Sequence, residues 1–362
     1  MIEVRRFQVS HFLVSIGIAC LLLQGATAQE YFEKYDLAPN TRSIDLAVQP
    51  MAYPLAFISS TMQRDRQLRA ELKTLDLELR VHPFRKGNDI VKLMGGSRVE
   101  MAFLGDVPTV NTMALTPTYV AGLGKRNFSS IVSSEYGRIE ALKGKRVAYS
   151  AGSSSHWVLL RGLSAAKMKE SDVVLVPMEP SQMPDALENG SIDAYSAWEP
   201  TPTISLNRSP KNRAIYRGMS TDWVVLSKEF ADKHPQAAVA LVASFARGVQ
   251  WMRASQANVE RAAAWVVADG VAFTGKPSAL PLSKVVEIVR KDLLDVPGAP
   301  AVPSKVDGVL PLSRELEFLQ QQGRIAREFD AAKVVEAFAY PALKQVQADP
   351  KKYRLHVYDY DL

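Results

Sequence analysis

Residues 142–157 read Leu142-Lys143-Gly144-Lys145-Arg146-Val147-Ala148-Tyr149-Ser150-Ala151-Gly152-Ser153-Ser154-Ser155-His156-Trp157. Val147–Tyr149 predicts a short strand, and a small-residue turn, Gly152–His156, leads into a helix over Trp157–Leu163. We call Gly152–His156 the serine turn. In a strand, turn and helix of this kind, backbone N–H groups and hydroxyls converge on an anion at the helix N-terminus. One serine is enough to cap a helix, so three in succession favour anion binding over capping alone.

A second strand–helix pattern follows this stretch. A helix is predicted over Met183–Asn189 and is closed by Gly190. A strand over Ile192–Tyr195 then leads to the sequence Trp198-Glu199-Pro200.

Four segments together resemble the corresponding parts of the periplasmic substrate-binding proteins of ABC importers. They are Leu142–Val147, the serine turn, Ile192–Ala194 and Trp198–Pro200. The group concerned is the nitrate/sulfonate/taurine (NMT1/THI5-like) family. The order and spacing of the pieces carry the resemblance, which extends over Ile44–Ala268. It implies an α/β fold of the type II periplasmic-binding-protein architecture, in which two lobes with mostly parallel sheets are joined by two crossings. In the remaining C-terminal residues, the resemblance to the family is limited to the presence of helices.

The flanking sequence predicts the same architecture from its own periodicity. Strands are expected at Ile44–Val48, Leu75–Val81 and Val99–Leu104, with helices between them, and Gln63–Lys73 is expected to be a charged connection. Shorter strands are expected at 119–121, 130–132 and 219–226. Beyond Leu226 the predicted helices are 228–233, 235–253, 258–268, 283–293, 313–328 and 331–340, with a Pro/Gly-rich connector at 296–311.

The predicted domain organisation begins with a secretory signal at residues 1–28. Lobe I is expected to be discontinuous, 44–130 and 227–345, and lobe II to span 131–226 with the hinge crossings. The signal has Arg5 and Arg6 before the apolar run Phe12–Leu23, and Ala26-Thr27-Ala28 supplies small residues for cleavage. We therefore expect a periplasmic protein, with lipidation at Cys20 as the alternative.

The candidate ligand-binding residues lie on loops that follow predicted strands, where α/β sheets bind small molecules. The resemblance implies eight of them: Gln49, Ser153, Ser154, Ser155, His156, Trp198, Glu199 and Asp222. Two more come from their position in the sequence alone, Tyr53 and Asp106. Tyr53 either lines the ligand-binding cleft between the lobes or lies on the protein surface. Asp106 either caps the helix that begins before Pro108 or faces the ligand.

The acidic candidates bear on the charge of the ligand. Asp106, Glu199 and Asp222 would repel a simple anion but would attract a ligand ammonium group. We therefore expect an amino-sulfonate or another zwitterion, followed by an amine-bearing heterocycle. The alternative is that these carboxylates cap helices or pair with arginines.

Composition excludes several other classes of function. The chain has 362 residues, a net charge of +6 and dispersed basic residues, which does not indicate a nucleic-acid-binding protein. Its one cysteine, Cys20, lies in the predicted signal, so the mature chain would have no thiol nucleophile or thiolate metal site. The resembled superfamily includes desulfinases and pyrimidine synthases that depend on cysteines. The five histidines are scattered, and no nucleophile elbow, phosphate loop or dinucleotide fingerprint is present.

We therefore expect a monomeric binding protein that has no catalytic residues, no metal and no cofactor. Its expected partners are a small solute and the permease and ATPase of an ABC importer. An enzyme or a sensor of the same fold, acting on a pyrimidine-like or amine-bearing compound, is the alternative.

Overall fold

The computed structural model describes residues 31–37, 42–296, 300–306 and 308–361. Within these ranges the strands are β1 Ser43–Val48, β2 Glu78–Pro83, β3 Met101–Gly105, β4 Thr118–Ser133, β5 Arg146–Tyr149, β6 Val174–Pro177, β7 Ala194–Ala197 and β8 Arg213–Ser227. The helices up to β8 are α1 Leu55–Arg64, α2 Arg66–Thr74, α3 Gly87–Gly95, α4 Asp106–Leu115, α5 Ser154–Ala165, α6 Met183–Glu188 and α7 Thr201–Arg208. Those after β8 are α8 Lys228–Lys233, α9 Pro235–Ala254, α10 Gln256–Thr274, α11 Leu282–Val289, α12 Ser313–Gln321, α13 Ala332–Phe338 and α14 Ala342–Ala348. The predicted signal at 1–28, with Cys20, lies outside the described residues.

The eight strands form one sheet in the order β2-β1-β3-β8-β4-β7-β5-β6. The β1, β2 and β3 strands are parallel to one another, as are β5, β6 and β7. These two parallel groups are the first and second halves of the sheet. They need helical crossovers, which explains why helices and strands alternate along this part of the chain.

The two halves are joined by β4 and β8, a long antiparallel pair in the middle of the sheet. The β8 strand pairs with β3 of the first half, and β4 pairs with β7 of the second half. The register of the β4–β8 pair shifts between Val120 and Gly122 and again between Leu123 and Lys125. Shifts of this kind locally bend a strand pair and increase its twist.

Apolar side chains are buried on the sheet faces under the helices. In the second half, Val147 and Ile131 pack with Leu159 and Leu163 of α5 on one face, and Ala148 and Tyr195 pack with Met183 and Leu187 on the other. Burial on both faces is expected where helices cover both sides of a parallel sheet. The helices therefore fix the strand ends, and the loops that leave those ends are held in place.

The structure corrects several element predictions. The charged stretch predicted as a connection is α2, which is capped by the Asp65 side chain accepting from the Leu68 N–H at 3.1 Å. The separate strands predicted at 119–121 and 130–132 are one strand, β4. Three elements were missed, β6, α7 and α14, and α12 ends at Gln321 rather than at residue 328. The charged residues of α2 obscure its apolar stripe, whereas β6 and α14, at four and seven residues, are too short to show a clear periodicity. The proposed lobe boundaries remain a prediction.

Candidate functional site

The loops predicted to bind ligand meet at the centre of the sheet. If Gly105, at the end of β3, carried a Cβ atom, that atom would lie 2.4 Å from the Ser154 hydroxyl and 3.4 Å from an Asp222 carboxylate oxygen. Only glycine permits this close approach. The loop after β3, the serine turn after β5 and strand β8 are therefore in contact.

A second contact joins the loop after β1 to the loop after β7. The Tyr53 N–H donates to the Glu199 carbonyl at 3.0 Å. The Gln49 side chain is buried and donates to the Phe103 carbonyl at 2.7 Å, which ties the same loop to β3. Both residues therefore lie where the loops converge, and their polar groups hold the loops together.

Tyr53, Trp198 and Glu199 have different surroundings. The Tyr53 ring is buried and packs edge-on against Phe57, with ring centroids 5.8 Å apart, and burial raises its pKa to about 12. Trp198 and Glu199 are half-buried. A Glu199 carboxylate oxygen accepts from the Thr203 N–H of α7 at 3.2 Å, so this residue stabilises the start of that helix.

The serine turn contains both a helix cap and further hydroxyl groups. The Ser153 hydroxyl accepts from the His156 N–H at 3.3 Å and donates to the Ser150 carbonyl at 2.7 Å, so Ser153 is the cap of α5. The Ser155 hydroxyl lies 2.9 Å from that of Ser153. The Ser154 hydroxyl instead bonds the Asp106 carboxyl, across the contact between the two halves of the sheet. Capping thus accounts for one serine of the three.

His156 is the residue of this turn whose hydrogen bonding is incomplete. Its ring is buried and packs at a tilt against Tyr149, with ring centroids 4.5 Å apart, and its Nδ1 accepts from the Gly152 N–H at 3.4 Å. Its Nε2 atom has no hydrogen-bond partner among the described residues. Burial, with a smaller contribution from the Arg324 charge, lowers the pKa of His156 to about 4. The ring is therefore neutral at pH 7, and with Nδ1 as acceptor it carries its proton on Nε2 as an unused donor.

Asp106 is fully buried and heavily hydrogen-bonded. Its two oxygens accept from the Val107 N–H at 2.8 Å and the Thr221 N–H at 3.2 Å, in addition to Ser154. Burial raises the pKa of this carboxyl, while the hydrogen bonds and the Lys125 charge act in the opposite direction. Asp106 is the first residue of α4. Its carboxyl therefore bonds an N–H group at the start of its own helix and also lies in the candidate site.

A buried ion pair lies beside Asp106. The Lys125 ammonium on β4 lies 4.0 Å from the Asp222 carboxylate on β8 and donates to the Ser220 hydroxyl at 3.2 Å. Burial raises the pKa of Asp222 to about 6, with Asp106 adding to the rise and Lys125 opposing it. The lysine therefore partly neutralises the carboxylates at the point where the two halves of the sheet join.

Sequence reasoning missed Lys125 and Asp292. Asp292 lies in the π turn Arg290–Leu294 after α11, where burial raises its pKa to about 7 and Lys125, Glu199 and Asp222 act on it electrostatically. Lys125 follows two glycines and precedes Arg126-Asn127, so it resembled a surface turn. The register shifts just before Lys125 interrupt any alternation there, so the local sequence does not indicate a buried strand residue.

A small cavity of about 30 Å³ lies next to Asp106. Its lining includes Asp106, Arg161 and Thr221, and also Leu312, Arg314 and Glu315 in and before α12. Burial raises the pKa of Glu315 to about 7, with the Asp106 charge adding to the rise. The cavity thus presents both carboxyl and guanidinium groups, which suits a ligand that carries both signs of charge.

No cluster of His, Cys, Asp and Glu that could hold a metal ion is found in the part of the chain that the structure describes. The helices in the same ranges include none with the length and apolar character needed to cross a membrane.

The fold is that of the periplasmic binding proteins. The crystal structure of the periplasmic aliphatic sulphonate binding protein SsuA from Escherichia coli superposes with a TM-score of 0.63 at 16% identity, covering 81% of this chain and 97% of that one. The desulfurization enzyme DSZB has the same fold, with a TM-score of 0.59 at 14% identity, and the match covers 86% of this chain and 100% of that one. The predicted α/β architecture is therefore confirmed, and the fold alone hosts both binding and catalysis.

The sequence comparison defines the family. The profile of the NMT1-like family matches residues 25–267, and the chain belongs to this family. The taurine-binding periplasmic protein of Escherichia coli (strain K12) is 24% identical over 260 residues, which are 67% of this chain and 77% of that protein. A Bacillus subtilis (strain 168) protein, named as a candidate aliphatic sulfonates-binding protein, is 29% identical over 120 residues. That match covers 32% of this chain and 36% of the relative's length. The predicted family resemblance is confirmed, and these two relatives are solute-binding proteins by name.

Proposed function

We propose that this protein is the solute-binding component of an ABC importer and captures a small anionic or zwitterionic solute of the taurine or aliphatic sulfonate type. The observation that carries the proposal is the unused Nε2 donor of His156, buried beside the N-terminus of α5. A buried donor without a partner is costly, and an anionic ligand oxygen would remove that cost. The helix N-terminus adds a favourable field for the same negative charge.

The mechanism is binding without chemistry. The solute lies between the two halves of the sheet, makes contacts with both only when they are closed, and so shifts the population towards the closed form. The closed form is the one that the permease and ATPase accept in this proposal, and delivery takes place in the periplasm. The names of the sulfonate- and taurine-binding relatives support this assignment over an enzymatic one.

Calorimetry of the mature protein against taurine, ethanesulfonate, nitrate, bicarbonate and amino acids tests the proposal. We expect a sulfonate to bind, and His156→Phe to weaken that binding about ten- to a hundredfold, since it removes a hydrogen bond to a charged group. Phenylalanine keeps the ring that packs on Tyr149, and the exposed His356→Phe is the matched control. Binding of none of the compounds, or equal affinity in the His156 variant, contradicts the assignment.

A further inference from the structure

The helix α12 and the loop before it lie across the cavity next to Asp106. Leu312, Arg314 and Glu315 line the cavity together with Arg161 of α5. Leu312 has a φ of +61°, in the left-handed region that a leucine rarely adopts. Residues held in this region concentrate where a segment clamps a ligand or switches its position.

Phe318 anchors α12 to the second half of the sheet. Its ring is buried, with its centroid 4.5 Å from that of Trp157 and 6.4 Å from that of His156. Both partners belong to the first turn of α5, where His156 is the last residue of the serine turn and Trp157 follows it. Aromatic pairs at these separations attract one another beyond the area they bury.

Arg324 makes a second contact with the same region. A guanidinium nitrogen of Arg324 lies 3.2 Å from where a Cβ atom on Gly152 would be. Gly152 has a φ of +72° and begins the serine turn, so the arginine lies against the predicted anion site. Its positive charge also acts on His156.

The α12 helix also packs against α4, which follows β3 in the first half of the sheet. The helix therefore bridges α4 and α5, and separation of the two halves would break its contacts with one of them. The cavity next to Asp106 lies at the same contact, because residues of α12 and Arg161 of α5 both line it. Separation of α12 from α5 would therefore open the cavity.

We propose that α12 is a latch that holds the ligand site closed through Phe318 and sets the rates at which solute enters and leaves. The ligand part of this inference rests on the proposed function, whereas the latch itself does not. Loss of the aromatic contact shifts the balance of closed and open forms by about two- to tenfold. The open form then becomes more populated in the absence of ligand, and bound solute leaves faster.

Hydrogen–deuterium exchange of the ligand-free protein tests the latch directly. We compare the wild type with Phe318→Ala, with the milder Phe318→Leu in case alanine prevents folding, and with Glu317→Ala as the control. Glu317 lies on the same helix but is exposed. We expect the amides of residues 154–158 to exchange about two- to tenfold faster in the Phe318 variants and unchanged in the control.

Stopped-flow measurement of taurine dissociation tests the effect of the latch on the ligand. We expect the dissociation rate constant of taurine to rise by the same factor, about two- to tenfold, in the Phe318 variants. Unchanged exchange in both Phe318 variants overturns the latch, whatever the binding results. If exchange responds but the wild type binds no solute in calorimetry, the latch stands and the proposed function fails.

Discussion

Replacing Asp222 by asparagine tests whether the ligand carries an ammonium group. Asp222 is buried, and its carboxylate lies 4.0 Å from the Lys125 ammonium. Unit charges at this separation interact by about 4 kcal/mol at an effective dielectric constant near 20. A ligand ammonium at a similar distance would gain part of this energy, because Lys125 competes for the same carboxylate.

We therefore estimate that Asp222 contributes about as much to the binding free energy of a ligand ammonium group as one hydrogen bond to a charged group, about 1.5–3 kcal/mol. Asp222→Asn should weaken taurine about ten- to a hundredfold at pH 8 and leave ethanesulfonate unchanged or bound more tightly. The same contribution should disappear in the wild type as the pH falls through about 6, where Asp222 takes up a proton.

The assay is calorimetry of both ligands with both proteins at pH 8 and pH 5. Asp185→Asn is the control, since it removes one negative charge from an exposed residue paired with Arg208. Equal losses of affinity for taurine and ethanesulfonate would refute the reasoning. They would show that Asp222 maintains the structure of the site and does not interact with the charge of the ligand.

Four further substitutions test contributions to stability and to binding. Ser153→Ala should lower the free energy of unfolding in urea by about 1 kcal/mol through loss of the α5 cap, and an unchanged free energy of unfolding would contradict the assignment of the cap. Ser154→Ala removes a hydrogen bond to the buried Asp106 carboxyl, so it should cost about 1–3 kcal/mol in the same assay and also weaken sulfonate binding in calorimetry; a variant as stable as the wild type would contradict this contact. Asp65→Ala should cost about 3–5 kcal/mol in the same unfolding assay, because it leaves the buried Arg247 guanidinium, 2.7 Å away, without its partner, and a cost under 1 kcal/mol would contradict this. Burial raises the pKa of Glu100 to about 7, so the folded form binds this proton more tightly than the unfolded chain and stability falls as the pH rises from about 4.5 through 7. Glu100→Gln should remove that fall, on the order of a few kcal/mol, and an unchanged pH profile in urea unfolding would refute it.

Much of the architecture could be predicted because its signals are local. The alternation of Ile44, Leu46 and Val48 predicts β1, and the turn after Val147–Tyr149 predicts the start of α5. Periodicity of this kind depends on neighbouring residues only. The lengths of β4 and β8 were not predictable in the same way, because pairing partners decide how far a strand extends.

The candidate site was predictable as a set of loops but not as a set of charges. Strand ends identify Gly105, the serine turn and Glu199, because parallel strands bring their carboxyl ends to one edge of the sheet. Lys125 and Glu315 reach the site from the middle of a strand and from a late helix. Nothing in the local sequence indicates either approach, since both depend on contacts between distant segments.

The antiparallel pairing of β4 with β8 affects the order in which the chain can fold. Thr118 pairs with Ser227, and Ser133 pairs with Arg213, so the central ladder joins segments about a hundred residues apart. The β3 strand also needs β8 as its neighbour. During synthesis the first half of the sheet therefore lacks its inner partner until residue 227 has been made. Folding that depends on such distant pairing is slow, which leaves the new chain incompletely folded for longer.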